Sequence, residues 1–233
     1  MPVRRVTEPG TGKRHIARFT RKDHGLAGDH RLHSPTFERN APPIIAVLSA
    51  YLLGRTGNIL EIGSGTGQHA AAFTLAFPTL TWIASDPFTE HLESIAAWQA
   101  ALGIAGPPPV TLDATEDWAE TPAIQALRPL AGIYAGNVTH ISPWEVTEGL
   151  LAGAGKALSE GGRLFLYGPF RDGTEFFGEG NRQFDADLRA DDPDWGLRDM
   201  AHIEALGRAH GLRAEARHAM PANNHILVLA RQG

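Results

Sequence analysis

The sequence predicts an α/β fold in which a mostly parallel β-sheet is covered by helices on both faces. Apolar runs rich in β-forming residues alternate with helix-like segments along most of the 233 residues. A glycine-rich turn joins the first of these runs to the helix that follows it, and the last two runs are joined without a helix. The alternation predicts βαβ units, and the final two runs predict a hairpin that adds an antiparallel last strand.

Seven runs have the composition of strands, being apolar and rich in β-forming residues. In an open sheet of this kind, the ligand crevice lies at the carboxyl ends of the strands, where the winding direction reverses. Polar residues that follow the strands are therefore the first candidates for a functional site. The predicted strands span residues 58–62, 80–85, 110–112, 132–135, 163–167, 214–219 and 225–230.

The composition is that of one globular domain. Hydrophobic residues make up 42% of the chain, which is enough for a sizeable core. The absence of cysteine from the sequence excludes disulfides, zinc–thiolate sites and thiol nucleophiles. No stretch approaches the roughly 18 apolar residues of a membrane-spanning helix, and the N-terminus has no apolar core of the signal-peptide type. These observations predict a soluble, cytoplasmic protein without a membrane partner.

Charge is distributed unevenly between the N-terminus and the rest of the chain. Residues 1–31 contain eight Lys or Arg and three acidic residues, a local charge of +5, so the net charge of −5 leaves −10 for the remainder. We therefore predict a basic, partly flexible arm over residues 1–33 and one folded domain over residues 34–233. The acidic domain argues against nucleic acid as a partner. The histidines of the arm follow no metal-ligand spacing, so no metal site is predicted.

The stretch ILEIGSGTGQHAA, residues 59–71, contains the glycine-rich turn. Gly63, Gly65 and Gly67 allow left-handed backbone conformations and let a ligand approach main-chain N–H groups at the start of a helix. A phosphate-binding loop would need Lys and then Ser or Thr after the glycines, and that pair is absent. The dinucleotide pattern G-x-G-x-x-G would need a glycine where Gln68 stands. The turn therefore matches neither phosphate motif.

Glu61 lies at the end of the first predicted strand and gives the spacing E-x-G-x-G-x-G. A carboxylate beside the turn would repel a pyrophosphate, but it suits a ligand with an ammonium group. This favours S-adenosylmethionine, which is a cation and carries an amino acid group, over NAD. A strand–turn–helix connection without a ligand is the alternative interpretation.

Acidic residues also end the second and third predicted strands. Asp86 follows Gly67 by 19 residues, close to the separation of about 20 at which an acidic residue binds ribose hydroxyls. Asp113 stands where a carboxylate can receive an adenine amino group. Asp86 taken alone is also consistent with a helix cap. Together these strand ends predict an adenosyl pocket formed by Glu61, Gly63, Ser64, Gly65, Gly67, His69, Asp86, Asp113, Ala114 and Asn137.

The sequence resembles a known group of enzymes in these and in longer motifs. The turn at residues 63–67, Asp86 and Asp113 resemble the cofactor motifs of class I S-adenosylmethionine-dependent methyltransferases. More narrowly, the family that includes methyltransferase-like protein 26 is similar in ERNAPPI, GSGTGQHAA, NVTHISPWEVTEGLL, LYGPF, NRQFDADLRADDPDWGLRD and MPANNH. The resemblance extends from about Ser34 to the C-terminus and leaves residues 1–33 outside. It implies a Rossmann-like, seven-stranded sheet with the order 3-2-1-4-5-7-6, in agreement with the predicted hairpin, and S-adenosylmethionine as the cofactor.

Asn137 and His140 follow the fourth strand, at the strand end that faces the sulfonium in the fold that the resemblance implies. They are the predicted catalytic residues. His140 is either a general base for a hydroxyl or amine, or a hydrogen-bonded residue of the pocket wall. As a base with an unperturbed pKa near 6.5, it would make the rate rise with pH through that value. The motif Asn-Pro-Pro-Tyr of amide and adenine N-methyltransferases is absent, which disfavours those substrates.

Two other polar stretches have structural interpretations. Ser142 and Glu145 have the spacing of a capping box, with Pro143 at the first helical position. Asn40 is interpreted either as a helix cap, with Pro42 in the first turn, or as a ligand contact.

Acceptor contacts are predicted on two segments. Residues 167–184 are rich in glycine and aromatic residues, which is typical of a lid over a pocket or of a surface loop. In the implied fold, an N-terminal segment commonly closes over the cofactor and could meet the methionine carboxylate or the acceptor. The predicted acceptor contacts are Arg39, Asn40, Tyr167, Asn181 and Arg182.

The sequence thus predicts an S-adenosylmethionine-dependent methyltransferase that acts on an oxygen or nitrogen of a small molecule. Two alternatives stay open. The first is a module that binds S-adenosylmethionine as a sensor or scaffold without methyl transfer, and the second is an NAD-dependent oxidoreductase. The sequence predicts neither the identity of the acceptor nor the oligomeric state.

Overall fold

The computed structural model describes residues 19–24 and 29–233. Most of the predicted basic arm, residues 1–18 and 25–28, lies outside the described residues. The helices are α1 (Arg21–His24), α2 (Phe37–Leu52), α3 (Gln68–Ala76), α4 (Thr89–Ala101), α5 (Pro122–Gln125), α6 (Trp144–Ala157), α7 (Glu179–Asp191) and α8 (Met200–Ala209). The strands are β1 (Gly57–Ile62), β2 (Leu80–Asp86), β3 (Val110–Thr111), β4 (Leu130–Gly136), β5 (Leu158–Asp172), β6 (Glu175–Phe176), β7 (Arg198–Asp199), β8 (Leu212–Met220) and β9 (Asn224–Arg231).

The sheet has the strand order β3-β2-β1-β4-β5-β9-β8. Strands β1 to β5 pair in parallel, whereas β9 lies between β5 and β8 and is antiparallel to both. The predicted Rossmann-like order 3-2-1-4-5-7-6 and the predicted antiparallel last strand are therefore confirmed, since β8 and β9 are the predicted sixth and seventh strands. Two short strands, β6 and β7, pair with the end of β5 and raise the number of strands in the described chain to nine.

Alternate residues of β5 contribute to two hydrophobic cores on opposite faces of the sheet. Leu164 and Leu166 pack in the core that includes side chains of α6 and α8. Phe165 and Tyr167 pack in the core that includes side chains of α2 and α3. Because successive side chains of a strand point to opposite faces, an apolar run of this kind stabilises both helical layers at once.

The segment predicted as a lid or surface loop, residues 167–184, is largely regular structure. Strand β5 continues to Asp172, turns at Gly173 and pairs with β6 (Glu175–Phe176), and α7 begins at Glu179. The extension of β5 is stabilised by pairing with β6 and β7 beyond the edge of the main sheet. The loop interpretation was wrong because β7 pairs with β5 from far along the chain, which no local pattern reveals.

The capping box predicted at Ser142 and Glu145 is also wrong. Helix α6 begins at Trp144 with Pro143 in the N-cap position, and no side chain caps it. The hydroxyl of Ser142 instead donates to the backbone carbonyl of Val138 at 2.8 Å. The hydroxyl therefore closes the turn that precedes the helix, and α6 starts too late for the box to form.

Asn40 does not cap a helix. It lies inside α2, whose N-cap position is Thr36, and its side chain is buried. The Asn40 Oδ1 accepts a hydrogen bond from Arg39 Nε at 3.0 Å. The cap interpretation is therefore wrong, and Pro42 and Pro43 stand within the helix.

The segment before α2 is bound to the domain through its backbone. The N–H of Leu32 donates to Ser94 Oγ at 2.8 Å, and its carbonyl accepts from Trp98 Nε1 at 2.9 Å. The N–H of Ser34 donates to Gln68 Oε1 at 2.6 Å. These bonds hold the segment against α4 and the start of α3, beside the carboxyl edge of the sheet. Among the helices of the described residues, none has the length and apolar character that crossing a membrane requires.

Candidate functional site

A cavity lies at the carboxyl ends of β1, β2 and β4, where the sequence predicts the ligand crevice. It encloses about 970 Å³, its open mouth included. Eight of the ten predicted cofactor residues line it: Glu61, Gly63, Ser64, Gly65, His69, Asp86, Ala114 and Asn137. Gly67 and Asp113 are the two that do not.

The glycine turn follows β1 with three left-handed residues. The φ angles of Gly63, Gly65 and Gly67 are 72°, 54° and 84°. A Cβ on Gly65 would lie 3.2 Å from the ring of Phe19 at the cavity wall. A Cβ on Gly67 would lie 2.7 Å from the Cα of Ile95. Gly65 therefore lets the ring of Phe19 pack closely against the turn, whereas Gly67 allows α3 and α4 to pack closely.

Asp86, the last residue of β2, is held by three protein donors. Its Oδ2 accepts the N–H of Gly65 at 2.9 Å, and its Oδ1 accepts the N–H of Phe88 at 3.0 Å and lies 2.8 Å from Nδ1 of His91. The side chain is buried. A carboxylate offers about four lone-pair sites, so about one remains on Oδ2 for a ligand donor. The geometry therefore leaves room for one further hydrogen-bond donor at Asp86, and not for two.

Glu61 lies at the floor of the cavity against aromatic rings. Its Oε2 accepts the indole N–H of Trp82 at 2.7 Å, and the ring of Tyr134 packs beside Trp82. Burial raises the pKa of the Glu61 carboxyl to about 8, and the nearby Asp86 charge acts in the same direction. A cation bound beside Glu61 would lower this pKa again because it stabilises the carboxylate.

His69, in the first turn of α3, brings an imidazole to the cavity wall. Its ring packs against Phe37 and Phe73 at centroid distances of 5.1 and 5.6 Å. Burial lowers the pKa of His69 to about 4, so the ring is neutral at pH 7. Its Nε2 is buried and has no hydrogen-bond partner among the described residues. A ligand carboxylate could accept from this nitrogen.

Of the two predicted catalytic residues, Asn137 lines the cavity and His140 does not. Asn137 lines the cavity and has a φ of 56°, which is uncommon for a residue with a side chain and typical of functional sites. Its N–H donates to the carbonyl of Tyr167 at 2.8 Å. His140 does not line the cavity and is buried against Phe184 and Gly168. Burial, with Arg198 nearby, lowers the pKa of His140 to about 3.

The structure keeps several predicted residues away from the cavity. Asp113 Oδ1 accepts from the N–H and the hydroxyl of Thr115 at 3.0 and 2.7 Å. The amide of Asn181 donates to the carbonyl of Asn223 at 3.1 Å and ties α7 to the β8–β9 turn. Arg182 is largely exposed and pairs with a neighbouring glutamate of α7.

The remaining predicted acceptor contacts lie on the α2 side of the sheet. Tyr167 is buried in the core beneath α2, and Arg39 is exposed on that helix. Burial raises the pKa of Tyr167 to about 12 against the opposing effects of the Arg39 charge and a hydrogen bond with Asn224. Arg39 and Tyr167 are therefore near each other but outside the cavity lining.

Phe19, Ser34 and His91 are among the residues of the cavity wall that sequence reasoning missed. The N–H of Phe19 donates to Nε2 of His91 at 3.0 Å, while the other ring nitrogen of His91 contacts Asp86. His91 follows Asp86 by five residues, on the first turn of α4, so its position was a usable signal. Phe19 carries no such signal because it reaches the site from 72 residues away.

The cavity is acidic in character. Its lining residues include two carboxyl groups, Glu61 and Asp86, and neither Lys nor Arg among the described residues that form it. A pyrophosphate would meet repulsion there and no cationic partner. The cavity therefore suits a ligand that is cationic or zwitterionic.

Most of the chain matches one protein family. A model of the family described as "Protein of unknown function (DUF938)" matches residues 31–231. The chain belongs to the DUF938 family. The matched range begins at the segment that is bonded to α4 and includes every element from α2 to β9.

Solved structures of methyltransferases share the DUF938 fold seen here. The S-adenosylmethionine-dependent methyltransferase SibL, in its apo form, is 20% identical with a TM-score of 0.68 over 84% of this chain and 56% of that chain. An O-methyltransferase family protein from Burkholderia thailandensis is 13% identical with a TM-score of 0.69 over 83% and 56%. Human N-acetylserotonin methyltransferase, in complex with SAM, is 15% identical with a TM-score of 0.63 over 81% and 51%. This DUF938 chain therefore has the class I methyltransferase fold and spans little more than half the length of these structures.

The raised pKa of Glu61 leads to a testable pH dependence of stability. Because the folded-state pKa of about 8 lies above the ordinary value of 4.5, this residue stabilises the fold fully below pH 4.5 and loses that contribution as pH rises through 8. Glu61→Gln keeps an acceptor for Trp82 and removes the titration. We expect the free energy of unfolding of the wild type to fall relative to the variant by about 2 kcal/mol or more between pH 5 and 8.

Urea denaturation of both proteins at pH 5, 6.5 and 8 measures this difference. The buried histidines contribute equally to the two proteins and cancel in the comparison. Parallel stability curves for wild type and variant would mean that Glu61 has an ordinary pKa in the folded protein.

Proposed function

We propose that this DUF938 protein is an S-adenosylmethionine-dependent methyltransferase that acts on an oxygen or nitrogen of a small molecule. The observation that carries the proposal is the cavity beyond β1, where a left-handed glycine turn adjoins the buried carboxyl groups of Glu61 and Asp86. When bound, the cofactor supplies an electrophilic methyl group on a sulfonium. The class I fold supports the proposal, as does the sequence resemblance to the family that includes methyltransferase-like protein 26.

The adenosine half of the ligand fits the β2–β3 end of the cavity. Asp86 Oδ2 retains an acceptor site for one ribose hydroxyl. Leu112, Ala114 and Phe88 provide apolar surface for the adenine ring. A contact between Asp113 and the adenine amino group stays a prediction. The two hydrogen bonds that Asp113 Oδ1 accepts from Thr115 leave only the other carboxylate oxygen for that contact.

The methionine half fits the β1–β4 end. Glu61 can pair with the ammonium group, and the unpartnered Nε2 of His69 can donate to the carboxylate. Residues 63–65 line the cavity in a left-handed turn, so the chain of the ligand can lie against them. The ammonium group of the ligand thereby meets a carboxylate, and the carboxylate of the ligand meets a hydrogen-bond donor.

Asn137 and His140 would act at the methyl-transfer end, after β4. Asn137 reaches the cavity directly and would orient the acceptor. His140 lies behind it and is neutral at physiological pH. A neutral imidazole is always in the form that accepts a proton, although its low pKa makes it a weak base.

Calorimetric titration with S-adenosylmethionine, S-adenosylhomocysteine and NAD tests the binding step. We expect the first two to bind and NAD to leave the signal unchanged. Because the ligand ammonium lowers the pKa of Glu61, binding near pH 7 should release up to about one proton. Titration in two buffers with different ionisation enthalpies measures that release, and Glu61→Gln should abolish it.

Transfer is tested separately, by incubating the protein with a metabolite extract and labelled methyl donor. Label in a small molecule supports the enzyme, whereas tight binding without any transfer supports the sensor or scaffold alternative. NAD binding that competes with S-adenosylmethionine would instead support an oxidoreductase and contradict the proposal.

His140→Asn is expected to lower the maximal methyl-transfer rate by about 100-fold, the scale of general-base assistance, with cofactor affinity unchanged. The lowered pKa of His140 changes the pH profile expected from the sequence. A base with a pKa of about 3 is deprotonated throughout the range from 5 to 8, so the rate should show no inflection near 6.5 from this residue.

Steady-state rates at saturating acceptor, measured from pH 5 to 8, decide the role of His140. A wild-type maximal rate combined with a raised KM for the acceptor would make His140 a pocket wall. An inflection near pH 6.5 that disappears in His140→Asn would mean that the imidazole is less buried in solution than in the structure.

A further inference from the structure

Two imidazoles, those of His140 and His225, lie on the same face of the sheet, next to the end of the cavity. Gly168 of β5 pairs with His225 of β9 in an antiparallel register, so the two positions project to the same face. A Cβ on Gly168 would lie 3.2 Å from Nδ1 of His140. The ring of His140 therefore packs on Gly168, the strand partner of His225, in space that a larger residue at position 168 would fill.

Both imidazoles keep an unsatisfied nitrogen. Nδ1 of His140 and Nδ1 of His225 are buried and have no hydrogen-bond partner within the described part of the chain. The two residues are 3% and 9% exposed. Buried polar atoms in folded proteins are nearly always paired, so two neighbouring exceptions indicate a position where a ligand group binds.

Two half-exposed phenylalanines cover this pair of imidazoles. The ring of Phe177 lies 4.2 Å from that of His225, and the ring of Phe184 lies 5.8 Å from that of His140. Each phenylalanine is 39% exposed. Between them in sequence, Asn181 anchors the start of α7 through its bond to the β8–β9 turn. The two phenylalanine rings thus lie on the solvent side of the two imidazoles.

The imidazole pair adjoins the cavity through the end of β4. The Oδ1 of Asn137 lies 3.7 Å from the same Cβ position of Gly168, and Asn137 lines the cavity. Ile141, the residue after His140, also lines it. A group bound at the imidazoles would therefore lie next to the part of the cavity assigned to the methyl group.

The charges around the pair favour an uncharged ligand. Burial lowers the pKa of both His140 and His225, so neither ring is a cation at pH 7. The guanidinium of Arg198 donates to the carbonyls of Thr139, Ser142 and Asp194, and Arg182 pairs with Glu179 at 3.4 Å. A ligand carboxylate would thus find no uncommitted cation among these groups, whereas a hydroxyl can pair with a neutral imidazole.

We propose that His140, His225, Phe177 and Phe184 form the acceptor subsite, and that the acceptor is an uncharged hydroxylated aromatic ring. The inference rests on the proposed function and narrows its substrate class to phenols. The ring contacts the phenylalanines, and its hydroxyl donates to Nδ1 of His140. In the transfer, the oxygen–methyl bond forms as the methyl–sulfur bond breaks. The hydroxyl proton passes to Nδ1 of His140 and from there to solvent, which leaves an aryl methyl ether and S-adenosylhomocysteine.

A matched set of probes tests this assignment by binding. The probes are 2-naphthol, 2-naphthoate, which replaces the hydroxyl by a carboxylate, and decahydro-2-naphthol, which keeps the hydroxyl without the aromatic ring. Dissociation constants are measured with and without S-adenosylhomocysteine, by the fluorescence of 2-naphthol and by competition for the other two. We expect 2-naphthol to bind at least tenfold more tightly than either analogue.

Variants then locate the site. Phe177→Ala and Phe184→Ala should each weaken 2-naphthol binding by about threefold or more, the scale of one aromatic pair, and His225→Asn should weaken it as well. Leu102→Ala is the matched control, because it truncates a side chain that is 47% exposed at the end of α4. Its affinity for 2-naphthol should equal that of the wild type, and all four variants should bind S-adenosylhomocysteine normally.

The outcomes separate this inference from the proposed function. A protein that binds S-adenosylhomocysteine but no 2-naphthol, or that prefers the carboxylate, overturns the phenol assignment and leaves the methyltransferase proposal intact. Phenylalanine variants that behave like Leu102→Ala overturn the location. A protein that binds 2-naphthol at the predicted residues but not S-adenosylhomocysteine would support the subsite and contradict the cofactor.

Discussion

We expect Gly65→Val to lower the affinity for S-adenosylhomocysteine by more than about 1,000-fold while the protein stays folded. Two physical reasons act together. Gly65 has a φ of 54°, which a β-branched residue adopts only with strain, and its missing side chain lets the ring of Phe19 pack against the turn. Valine would displace the ring of Phe19 from its place in the cavity wall and would shift the N–H that Gly65 donates to Asp86.

Gly173→Val is the matched control for this change. Gly173 has a φ of 58° and nothing within 4 Å of its Cβ position, so valine meets the same backbone strain in open space. Calorimetric titration with S-adenosylhomocysteine and thermal melts should show similar stability losses for the two variants and normal binding only for Gly173→Val. Normal binding by Gly65→Val would mean that the turn is a strand–helix connection without a ligand.

Asp86→Ala weakens cofactor binding by about 30- to 1,000-fold, equivalent to about 2–4 kcal/mol for a lost charged hydrogen bond and the disordered donors around it. The carboxylate accepts from Gly65, Phe88 and His91, so its removal also releases the groups that shape the ribose end of the cavity. We therefore expect the variant to melt earlier than the wild type as well.

Asp113→Ala separates the ligand effect from a general loss of acidic charge. Asp113 ends the neighbouring strand but faces Thr115 and not the cavity. Its removal should change S-adenosylhomocysteine affinity by less than about threefold, within the range of a surface substitution. If Asp86→Ala and Asp113→Ala bound equally well at a temperature where both are folded, the ribose assignment would be wrong.

The pKa values of the buried histidines could not be predicted from sequence. His140 follows a strand end in a polar stretch, which suggested an unperturbed pKa near 6.5. In the fold, α7 and the end of β5 enclose the ring, and burial lowers its pKa to about 3. Desolvation depends on all the atoms around a group, most of which come from distant parts of the chain.

The polar helix starts show a similar limit of local reasoning. Ser142 and Glu145 had the correct spacing for a capping box, yet the Ser142 hydroxyl donates to the carbonyl of Val138. A short polar side chain competes between several backbone partners that differ little in energy. The surrounding structure selects among them, and here it moves the helix start to Trp144.

The sequence by itself determined the alternation of strands and helices along the chain, the hairpin at the C-terminus, and the carboxylates that end β1 and β2. These features depend on local periodicity and on residues adjacent in the chain, which the sequence records directly. Only the tertiary structure decided that Phe19 and His91 complete the cavity and that Gly67 and Asp113 face away from it. It also placed His140 against Gly168, which pairs with His225, a residue 85 positions beyond His140, because strand pairing between β5 and β9 juxtaposes segments that no local pattern connects.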